Sequence, residues 1–363
     1  MNNISWNPTQ KTLLVMAGGT GGHIFPALTV GKHLQEEGWR VVWFGNPDSM
    51  EARLACQSGF EMIAVRFAAL RGKGWKRKFM LPFALIRAVW QSMREIRIYS
   101  PDVALGMGGY ISFPGSIAAK LLGIPLVIHE QNSIAGLANR VLSKVANRTL
   151  TGFPNVLKKG ICVGNPIRSV ITQVPPPEER MAGREGVLKL LVVGGSLGAK
   201  VLNDIIPQGL LQLSPELMPE VVHQSGTDHL TELEDNYREY REKGGVAHCV
   251  DFIEDMASAY AWADLVICRS GALTVFELAA IGVASVLVPL PHAVDDHQTG
   301  NAHYLTLAGG AFFLPQADLT PESVALLGNY KRGQLLEMAK KARELARPDA
   351  TLAVVNVCKA LAK

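Results

Sequence analysis

The sequence feature that most constrains the fold is an apolar run that ends in clustered glycines and continues into a helix-forming segment. It occurs at residues 13–28, LLVMAGGTGGHIFPAL, and again at residues 188–203, LKLLVVGGSLGAKVLN. Proteins of the α/β class bind phosphates at such turns, because the glycines leave backbone N–H groups exposed at a helix N-terminus. Two copies almost half a chain apart predict two similar doubly wound α/β domains within the 363 residues.

Both halves of the chain alternate short apolar runs with segments of helical length. Candidate strands are residues 12–16, 41–44, 62–65, 103–105 and 126–128 in the first half, and the run after Leu188, then 221–223, 248–250, 265–267, 284–288 and 310–313 in the second. This alternation predicts βαβ units, and therefore parallel sheets covered by helices.

The domain boundary is predicted near Gly164-Asn165-Pro166, which gives domains at 1–166 and 167–346 and a tail at 347–363. In the tail, Leu352, Val355 and Cys358 are spaced as one face of a helix. We expect this helix to pack back across the domain junction, although the sequence does not decide onto which domain.

Composition excludes several classes of protein. Five cysteines lie far apart without a Cys-x-x-Cys pair, which argues against a disulfide framework or zinc site and favours a reducing cytosol. The net charge of +4 is mild and does not by itself indicate nucleic-acid binding. The N-terminus is polar, and no apolar run approaches the about 20 residues that a spanning helix needs. We therefore expect any membrane contact to be peripheral.

The first glycine loop fits neither common nucleotide-binding pattern. A dinucleotide fingerprint would need glycine where Ile24 stands, and a P-loop would end in Gly-Lys-Ser/Thr rather than at His23. A third glycine loop, GMGGY at 106–110, follows the candidate strand 103–105. One such loop is often only a tight turn, but three of them favour more than one phosphate-bearing ligand.

Two polar features stand where parallel strands would end. His23 is as consistent with a satisfied core histidine as with an active-site residue beside a bound phosphate. HEQN at 129–132 follows the apolar run PLVI, an unusual ending for a buried strand. Because Ser133 stands where a His-Glu-x-x-His motif needs its second histidine, a metal site is not expected.

In the second half, the segment 268–282, CRSGALTVFELAAIG, follows the candidate strand 265–267. Gly271 is suited to open a helix whose N-terminal amides face a phosphate. Glu277 has the position of a carboxylate that accepts both hydroxyls of a ribose, a recurrent solution for nucleotides. The alternative is a solvated helical glutamate, which its apolar neighbours make less attractive.

A basic, aromatic segment at 71–97 holds eight Lys or Arg residues against one acid, Glu95. For a helix from Met80, the 100° step predicts a core face formed by Leu85, Ile86, Val89, Met93 and Ile96. The opposite face holds Phe83, Arg87, Trp90, Arg94 and Arg97, preceded by Trp75 and Phe79. Aromatic and Arg side chains together suit the headgroup boundary of an anionic membrane. A merely solvated face and a nucleic-acid surface are the alternatives.

Together these residues resemble the MurG family of peripheral membrane glycosyltransferases over essentially the whole chain. The shared motifs are GGTGGH at 18–23, GMGGY at 106–110, HEQN at 129–132, GNPIR at 164–168, GGSLGA at 194–199, RSGALTVFE at 269–277 and DDHQTGNA at 295–302. The resemblance implies a GT-B fold, with two Rossmann-like domains facing a cleft. It also implies transfer of N-acetylglucosamine (GlcNAc) from UDP-GlcNAc to the MurNAc C4 hydroxyl of lipid I (undecaprenyl-diphospho-MurNAc-pentapeptide), with inversion, giving lipid II and UDP.

The resemblance also implies roles for individual residues. In the second domain, Ile253 would meet the uracil and Glu277 the ribose. Gln298 would meet the sugar, with His297 as the alternative. The full set implied for UDP-GlcNAc is Thr20, Gly21, Gly22, Asn132, Arg168, Ser196, Ile253, Ala272, Leu273, Thr274, Val275, Phe276, Glu277 and Gln298. The acceptor diphosphate would lie on Gly18, Gly19, Gly108, Gly109 and Tyr110.

An inverting transfer needs a base at the attacking hydroxyl and charge stabilisation on the departing UDP. His23 is the predicted base, because an unperturbed imidazole titrates near neutrality, and Glu130 is the runner-up. No cofactor is expected, and without an Asp-x-Asp pair no obligatory metal ion is indicated.

Two other functions compete with the transferase. UDP-GlcNAc 2-epimerases share the fold and the donor, but they would leave the basic aromatic segment unexplained. A non-catalytic nucleotide-sugar-binding membrane scaffold would leave His23 and Glu130 without a purpose. The MurG resemblance further implies a peripheral location on the cytoplasmic face of the inner membrane, and membership of a cell-wall synthesis or division complex.

Overall fold

The computed structural model describes residues 10–65, 75–195, 197–291 and 293–363, and of these it describes 75–82 and 294 by their backbone alone. The chain divides into two compact units. Unit 1 consists of Met1–Arg168 and Asp349–Lys363, and unit 2 of Ser169–Pro348.

Within the described residues, unit 1 contains a seven-stranded parallel sheet in the order β3-β2-β1-β4-β5-β6-β7. The strands are β1 Thr12–Met16, β2 Arg40–Gly45, β3 Glu61–Ala64, β4 Val103–Gly106, β5 Leu126–Glu130, β6 Arg148–Thr151 and β7 Ile161–Cys162. The helices that connect them are α1 Gly21–Glu36, α2 Met50–Gln57, α3 Trp75–Tyr99, α4 Ser112–Leu121 and α5 Leu137–Leu142.

Unit 2 contains a six-stranded parallel sheet in the order β10-β9-β8-β11-β12-β13. Its strands are β8 Lys189–Val193, β9 Glu220–Gln224, β10 Ala247–Val250, β11 Leu265–Cys268, β12 Ala284–Leu287 and β13 Phe312–Phe313. Its helices are α6 Ser169–Thr172, α7 Pro177–Met181, α8 Lys200–Leu210, α9 Leu230–Asn236, α10 Arg238–Glu242, α11 Met256–Trp262, α12 Ala272–Ile281, α13 His297–Thr306, α14 Pro321–Ala325 and α15 Arg332–Glu344. Short 3-10 turns lie at Pro215–Leu217, Val294–Asp296, Gln316–Asp318 and Leu326–Asn329.

The strand β1 shows why these apolar runs form central strands. Successive side chains of a strand point to opposite faces of the sheet. Leu13 and Val15 pack into the core layer that includes residues of α1, and Leu14 and Met16 pack into the layer that includes residues of α3 and α4. Since both faces are covered, the strand must be apolar at every position rather than at alternate ones.

The last helix, α16 Ala350–Leu361, belongs to unit 1. Its buried residues Val354, Val355 and Cys358 join the core layer of α1. Lys359 forms an ion pair of 2.7 Å with Glu37, which follows the end of α1. The helix predicted from the apolar spacing is therefore present and covers the sheet of unit 1.

Two strands of unit 1 were not predicted from the sequence. The strand β6 has the sequence RTLT, and β7 has only two residues, both exposed. Neither presents the apolar run that identified the other strands: three of the four residues of β6 are polar, and β7 is a two-residue strand at the edge of the sheet. The predicted strand 310–313 is shorter than expected and spans Phe312–Phe313.

Candidate functional site

Two glycine loops of unit 1 meet at the carboxyl edge of its sheet. One follows β1 and the other follows β4, and these strands are neighbours. The backbone N–H of Gly18 donates a hydrogen bond to the carbonyl of Gly108 at 3.4 Å. A Cβ atom at position 109, where φ is +83°, would overlap the carbonyl oxygen of Gly18. Glycine at 109 is therefore required by both the close approach and the backbone conformation.

His23 lies on the first turn of α1, where these two loops meet. Its Nδ1 lies 3.3 Å from the hydroxyl oxygen of Thr20, the residue that precedes the helix. A Cβ atom at Gly108 would lie 2.8 Å from Cδ2 of His23 and 3.1 Å from its Nε2. One edge of the imidazole thus packs against the GMGGY loop, and the ring is half-buried at a helix N-terminus.

Residues 129–132 sit at the end of β5, but they do not form one polar cluster. His129 is fully buried, and its Nε2 lies 2.9 Å from the carbonyl oxygen of Gly164. Burial lowers the pKa of His129 to about 4, against a weaker opposing effect of that hydrogen bond. The imidazole is therefore neutral near pH 7 and holds β5 to the segment that follows β7.

The carboxylate of Glu130 is buried and accepts hydrogen bonds at both oxygens. Oε1 accepts from the backbone N–H of Asn132 at 3.0 Å and from the side-chain amide of the same residue at 3.4 Å. Oε2 accepts from the backbone N–H of Gly136 at 3.2 Å and from the side-chain amide of Asn139 at 2.8 Å. These donors order the loop between β5 and α5 and give Glu130 a structural role, and its role as the alternative base stays a prediction.

Two residues near these loops were missed by sequence reasoning. Gln131 is 1% exposed beneath the GMGGY loop, and Glu51 is 3% exposed beside the first loop. Oε1 of Glu51 would lie 2.9 Å from a Cβ atom at Gly18. Tyr110, which was predicted, is 37% exposed. A glutamate on the first turn of a helix is ordinary, so no sequence signal distinguished Glu51.

The glycine loop of unit 2 has a different partner. A Cβ atom at Gly198, where φ is +75°, would overlap the carbonyl oxygen of Ser225. The turn Ser225–Gly226 follows β9, and it was also missed because it holds one glycine rather than a cluster. Ser196, predicted to bind the diphosphate, lies outside the described residues.

A second turn in unit 2, between β11 and α12, is fixed by side chains of α13. Ser270 donates its hydroxyl to the carbonyl of Gln298 at 2.8 Å, and Asn301 donates its amide to the carbonyl of Ser270 at 3.1 Å. The side-chain oxygen of Gln298 accepts from the backbone N–H of Leu290 at 2.9 Å. These bonds hold the N-termini of α12 and α13 close together.

The residues of α12 that were predicted to bind the donor divide into two groups. Leu273 and Thr274 are half-buried at the N-terminal turn, with Ala272 buried at its start. Val275 and Phe276 point into the interior, and the Phe276 ring stacks on Tyr304 with centroids 5.2 Å apart. The side chains at 275 and 276 are therefore core residues, so a donor contact at these positions would come from the backbone, and their assignment to the donor site stays a prediction.

Glu277 is 5% exposed, and its Oε2 accepts a hydrogen bond from the hydroxyl of Tyr260 at 3.4 Å. The predicted alternative of a solvated glutamate is thus wrong. Ile253 lines a cavity of about 440 Å³ together with Phe252 and Trp262. Arg168 is half-buried at the last position of unit 1.

The helix α3 begins at Trp75 rather than at Met80, and it carries an exposed apolar and basic face. The exposed residues are Phe83, Ile86, Arg87, Trp90, Arg94, Arg97 and Ile98. Ile86 was predicted in the core but is 67% exposed. The buried side of α3 is centred on Ala88. Ile86 precedes Ala88 by two positions and therefore lies about 200° around the helix, on the exposed side. The side chains of Trp75 and Phe79 lie outside the described residues.

The described residues offer neither a metal-binding cluster nor a helix that could span a membrane. No group of three or more His, Cys, Asp and Glu side chains is arranged to hold a metal ion there. Among the helices of the same residues, none combines the length and apolar character needed to span a membrane.

Residues 13–151 match the glycosyltransferase family 28 N-terminal domain, and residues 189–352 match the C-terminal domain of the same family. The chain belongs to glycosyltransferase family 28. The two matches fall on unit 1 and unit 2, so each half of the family's architecture corresponds to one of the sheets described above.

Relatives within the family are similar over nearly the full chain. A protein of Dechloromonas aromatica is 62% identical over 353 residues, covering 97% of this chain and 99% of its own length. A protein of Burkholderia mallei is 55% identical over 359 residues, covering 98% of this chain and 97% of its own length. Both are named UDP-N-acetylglucosamine–N-acetylmuramyl-(pentapeptide) pyrophosphoryl-undecaprenol N-acetylglucosamine transferase.

Solved structures agree with this assignment. The crystal structure of Acinetobacter baumannii MurG superimposes with a TM-score of 0.84 at 40% identity, covering 96% of this chain and 99% of that one. The glycotransferase of kitacinnamycin matches with a TM-score of 0.68 over 98% of this chain and 100% of its own, but at 18% identity it shows the fold alone. The resemblance to the MurG family and the GT-B fold class are thus confirmed.

Proposed function

We propose that this family 28 chain transfers GlcNAc from UDP-GlcNAc to the MurNAc C4 hydroxyl of lipid I, forming lipid II and UDP in peptidoglycan synthesis. The full-length relatives at 55–62% identity carry the name of this activity, and the MurG structure supports it. The relatives are named as transferases, so they do not support the epimerase alternative. The observation that carries the proposal is the imidazole of His23, held where two glycine loops meet.

The acceptor is assigned to unit 1. The loops holding Gly18, Gly19, Gly108 and Gly109 expose backbone N–H groups, which favours the diphosphate of a lipid-linked acceptor there, with Tyr110 beside it. His23 then takes the proton of the attacking hydroxyl as the anomeric bond to UDP breaks, and the configuration inverts.

The donor is assigned mainly to unit 2. The N-terminal turn of α12, Ala272 to Thr274, supplies backbone N–H groups for the diphosphate, and Glu277 accepts the ribose hydroxyls. Ile253 receives the uracil and Gln298 the sugar. The remaining donor contacts are Ser196, Arg168, Asn132 and the Thr20–Gly22 turn. Helix amides and Arg168 would stabilise the charge that develops on the departing UDP.

The exposed face of α3 is assigned to the membrane. Phe83, Trp90 and their apolar neighbours would enter the headgroup boundary, while Arg87 and Arg94 attract anionic lipids. The enzyme would then act peripherally on the cytoplasmic face of the cell membrane, beside its lipid-linked acceptor, and within reach of a cell-wall synthesis or division complex.

The transferase assignment is tested by following labelled GlcNAc from UDP-GlcNAc to a lipid I analogue. We expect transfer by the native chain, and loss of transfer with retained UDP-GlcNAc binding in His23→Ala. His33→Ala, which changes a second histidine on α1 outside the loops, is the matched control and should behave as the native chain. Conversion of UDP-GlcNAc to UDP-ManNAc without acceptor would instead identify an epimerase.

The membrane assignment has its own test. Binding to vesicles with anionic phospholipid should fall for the double variant Arg87→Glu, Arg94→Glu, and also in high salt, because the attraction is electrostatic. Lys243→Glu, an exposed lysine of unit 2, is the control. Equal binding by all three chains would contradict the assignment of this face.

A further inference from the structure

Gln131 is a buried polar side chain whose hydrogen-bonding capacity is not used. It follows the last residue of β5 and is 1% exposed. Neither Oε1 nor Nε2 of its carboxamide has a hydrogen-bond partner in the described part of the chain. Leaving a buried donor or acceptor unpaired destabilises a fold by about 1–3 kcal/mol, so two on one side chain need an explanation.

The backbone of the same residue is firmly held. Its carbonyl oxygen accepts a hydrogen bond of 3.0 Å from the side-chain amide of Asn165, which is itself fully buried. The flanking residue Glu130 is fixed by the four hydrogen bonds that order the following loop. The carboxamide of Gln131 therefore projects from a rigid strand end and its place in the fold is well defined.

The position of the carboxamide is what makes it informative. A Cβ atom at Gly108 would lie 3.5 Å from Oε1 of Gln131 and 3.1 Å from Nε2 of His23. Both side chains thus border the same small space against one glycine of the GMGGY loop. The other ring nitrogen of His23, Nδ1, lies on the side of Thr20.

A histidine that acts as a base becomes positively charged at the moment of transfer. A fixed carbonyl dipole near the ring favours this charged form, and it does so without titrating itself. An unpaired carboxamide oxygen in a buried site is suited to this task, because no hydrogen bond must be broken before it responds to the new charge.

We infer that Gln131 is a positioning residue that acts through His23: its carboxamide oxygen holds the imidazole edge against Gly108 and stabilises the protonated ring. This inference rests on the proposed role of His23 as the base. It assigns a task to the one residue of the HEQN segment for which the site described above gave none.

The test replaces the carboxamide by an apolar side chain of similar shape in the full chain. For Gln131→Met we expect kcat to fall about tenfold, the effect of one hydrogen bond, while KM for UDP-GlcNAc and for a lipid I analogue changes less than about twofold. Tm should rise, because the variant no longer buries unpaired polar atoms. Gln57→Met, an exposed glutamine on α2, is the control and should change none of these quantities.

A double-mutant comparison tests whether Gln131 acts on transfer through His23 or independently of it. In a His23→Ala background, Gln131→Met should cause no further loss of transfer. Gln131→Glu retains an oxygen at the same position and should keep more activity than Gln131→Met. If Gln131→Glu does not fold, the Met variant and the double mutant still decide the question.

Several outcomes would overturn the inference. An unchanged kcat in Gln131→Met, a further loss in the His23→Ala background, or a rise in KM without a fall in kcat would each contradict action through the base. A lower Tm would mean that the carboxamide is satisfied by a buried structural water. Failure of the proposed function looks different, since then the native chain does not transfer GlcNAc or His23→Ala transfers it at the native rate.

Discussion

The two units begin with nearly the same element but use it differently. In unit 1 the helix α1 starts at Gly21, the fourth residue of GGTGGH, so that His23 lies on its first turn. In unit 2 the helix α8 starts at Lys200, after the last residue of GGSLGA, and Ala199 occupies the position before the helix. The helix thus starts three residues earlier in the loop of unit 1 than in that of unit 2. As a result the sixth loop residue lies on the first helical turn in unit 1, as His23, and before the helix in unit 2, as Ala199.

The partners of the two loops differ as well. The loop of unit 1 packs against a second glycine loop, the one after β4, whereas the loop of unit 2 packs against the turn after β9. In unit 2 the polar side chains come instead from α12 and α13 and from the hydrogen bonds between them. The comparison teaches that the loop packed against the first one differs between the units. Under the proposed function, this difference would specialise unit 1 for a base and unit 2 for anion binding.

The largest effect is expected at His23. His23→Ala should lower kcat by about 10²- to 10⁴-fold, the usual contribution of a general base, with the affinity for UDP-GlcNAc unchanged. Single-turnover transfer and a separate donor-binding titration measure the two quantities. Ala199→Ser, at the corresponding loop position of unit 2, should leave kcat within a few-fold of the native value. An equal fall in kcat for His23→Ala and Ala199→Ser would contradict the functional distinction between the two loops.

The next effect is expected where the loops touch. Gly109→Ala places a methyl group against the carbonyl of Gly18 in unit 1, and Gly198→Ala does the same against Ser225 in unit 2. Both also force alanine into positive φ, which costs about 1–2 kcal/mol.

We expect Gly109→Ala to raise KM for the lipid acceptor at least tenfold and Gly198→Ala to raise KM for UDP-GlcNAc by a similar factor. Steady-state kinetics with each substrate varied in turn measures both. Gly333→Ala, which meets nothing within 4 Å, is the control. The distinction between the units fails if each glycine variant raises KM for both substrates by the same factor.

A smaller effect is expected at Glu130. Glu130→Ala removes the acceptor of four hydrogen bonds in the loop before α5, so the free energy of unfolding should fall by about 1–3 kcal/mol. Urea unfolding followed by circular dichroism measures this loss, with Glu36→Ala, an exposed residue of α1, as control. Residual transfer should follow the folded fraction. Loss of transfer without loss of stability would favour Glu130 as the base.

A further effect is expected in the acid range, where each unit has one fully buried histidine among the residues that the structure describes. Burial lowers the pKa of His129 in unit 1 to about 4 and that of His223 in unit 2 to about 3, from 6.5. Since the unfolded chain binds the proton more tightly, the stabilisation is complete above pH 6.5 and is lost as the pH falls towards the folded pKa. Each unit should lose about 2 kcal/mol between pH 7.5 and pH 5.

Thermal unfolding from pH 7.5 to pH 5 measures this dependence. His129→Asn should flatten the pH dependence of the transition assigned to unit 1, and His223→Asn that of unit 2. His248→Asn, an exposed histidine at β10, should leave both unchanged. If Tm depends on pH in the same way in the native chain and in all three variants, other groups control the stability at acid pH.

Much of the fold was predictable because central parallel strands must be apolar on both faces. The runs at β1 and β8 therefore stood out, and the glycines after them identified the loops. The strand β6, with the sequence RTLT, was missed because three of its four residues are polar, although three of the four are buried in the structure. Ile86 was misassigned because helical periodicity divides a helix into faces but does not determine which apolar residues on it find a partner.

The site was predictable in part. Motif spacing predicted that His23, Glu130 and the N-terminus of α12 lie at the carboxyl ends of parallel strands, and the structure has them there. It did not predict that Glu130 would be enclosed by its own loop, nor that Gln131 would be left unpaired next to His23. Such distinctions depend on side-chain directions within a single turn, which sequence order does not contain.

The helix α16 has a consequence for the order of events during synthesis. Its residues Val354, Val355 and Cys358 complete the core of unit 1, yet they are translated after the whole of unit 2. At ordinary elongation rates the ribosome needs roughly ten to forty seconds to pass from one part of unit 1 to the other. During that time the nascent first unit exposes the apolar groove of α1 that α16 will fill. The half of the protein that is made first is thus the half that is finished last.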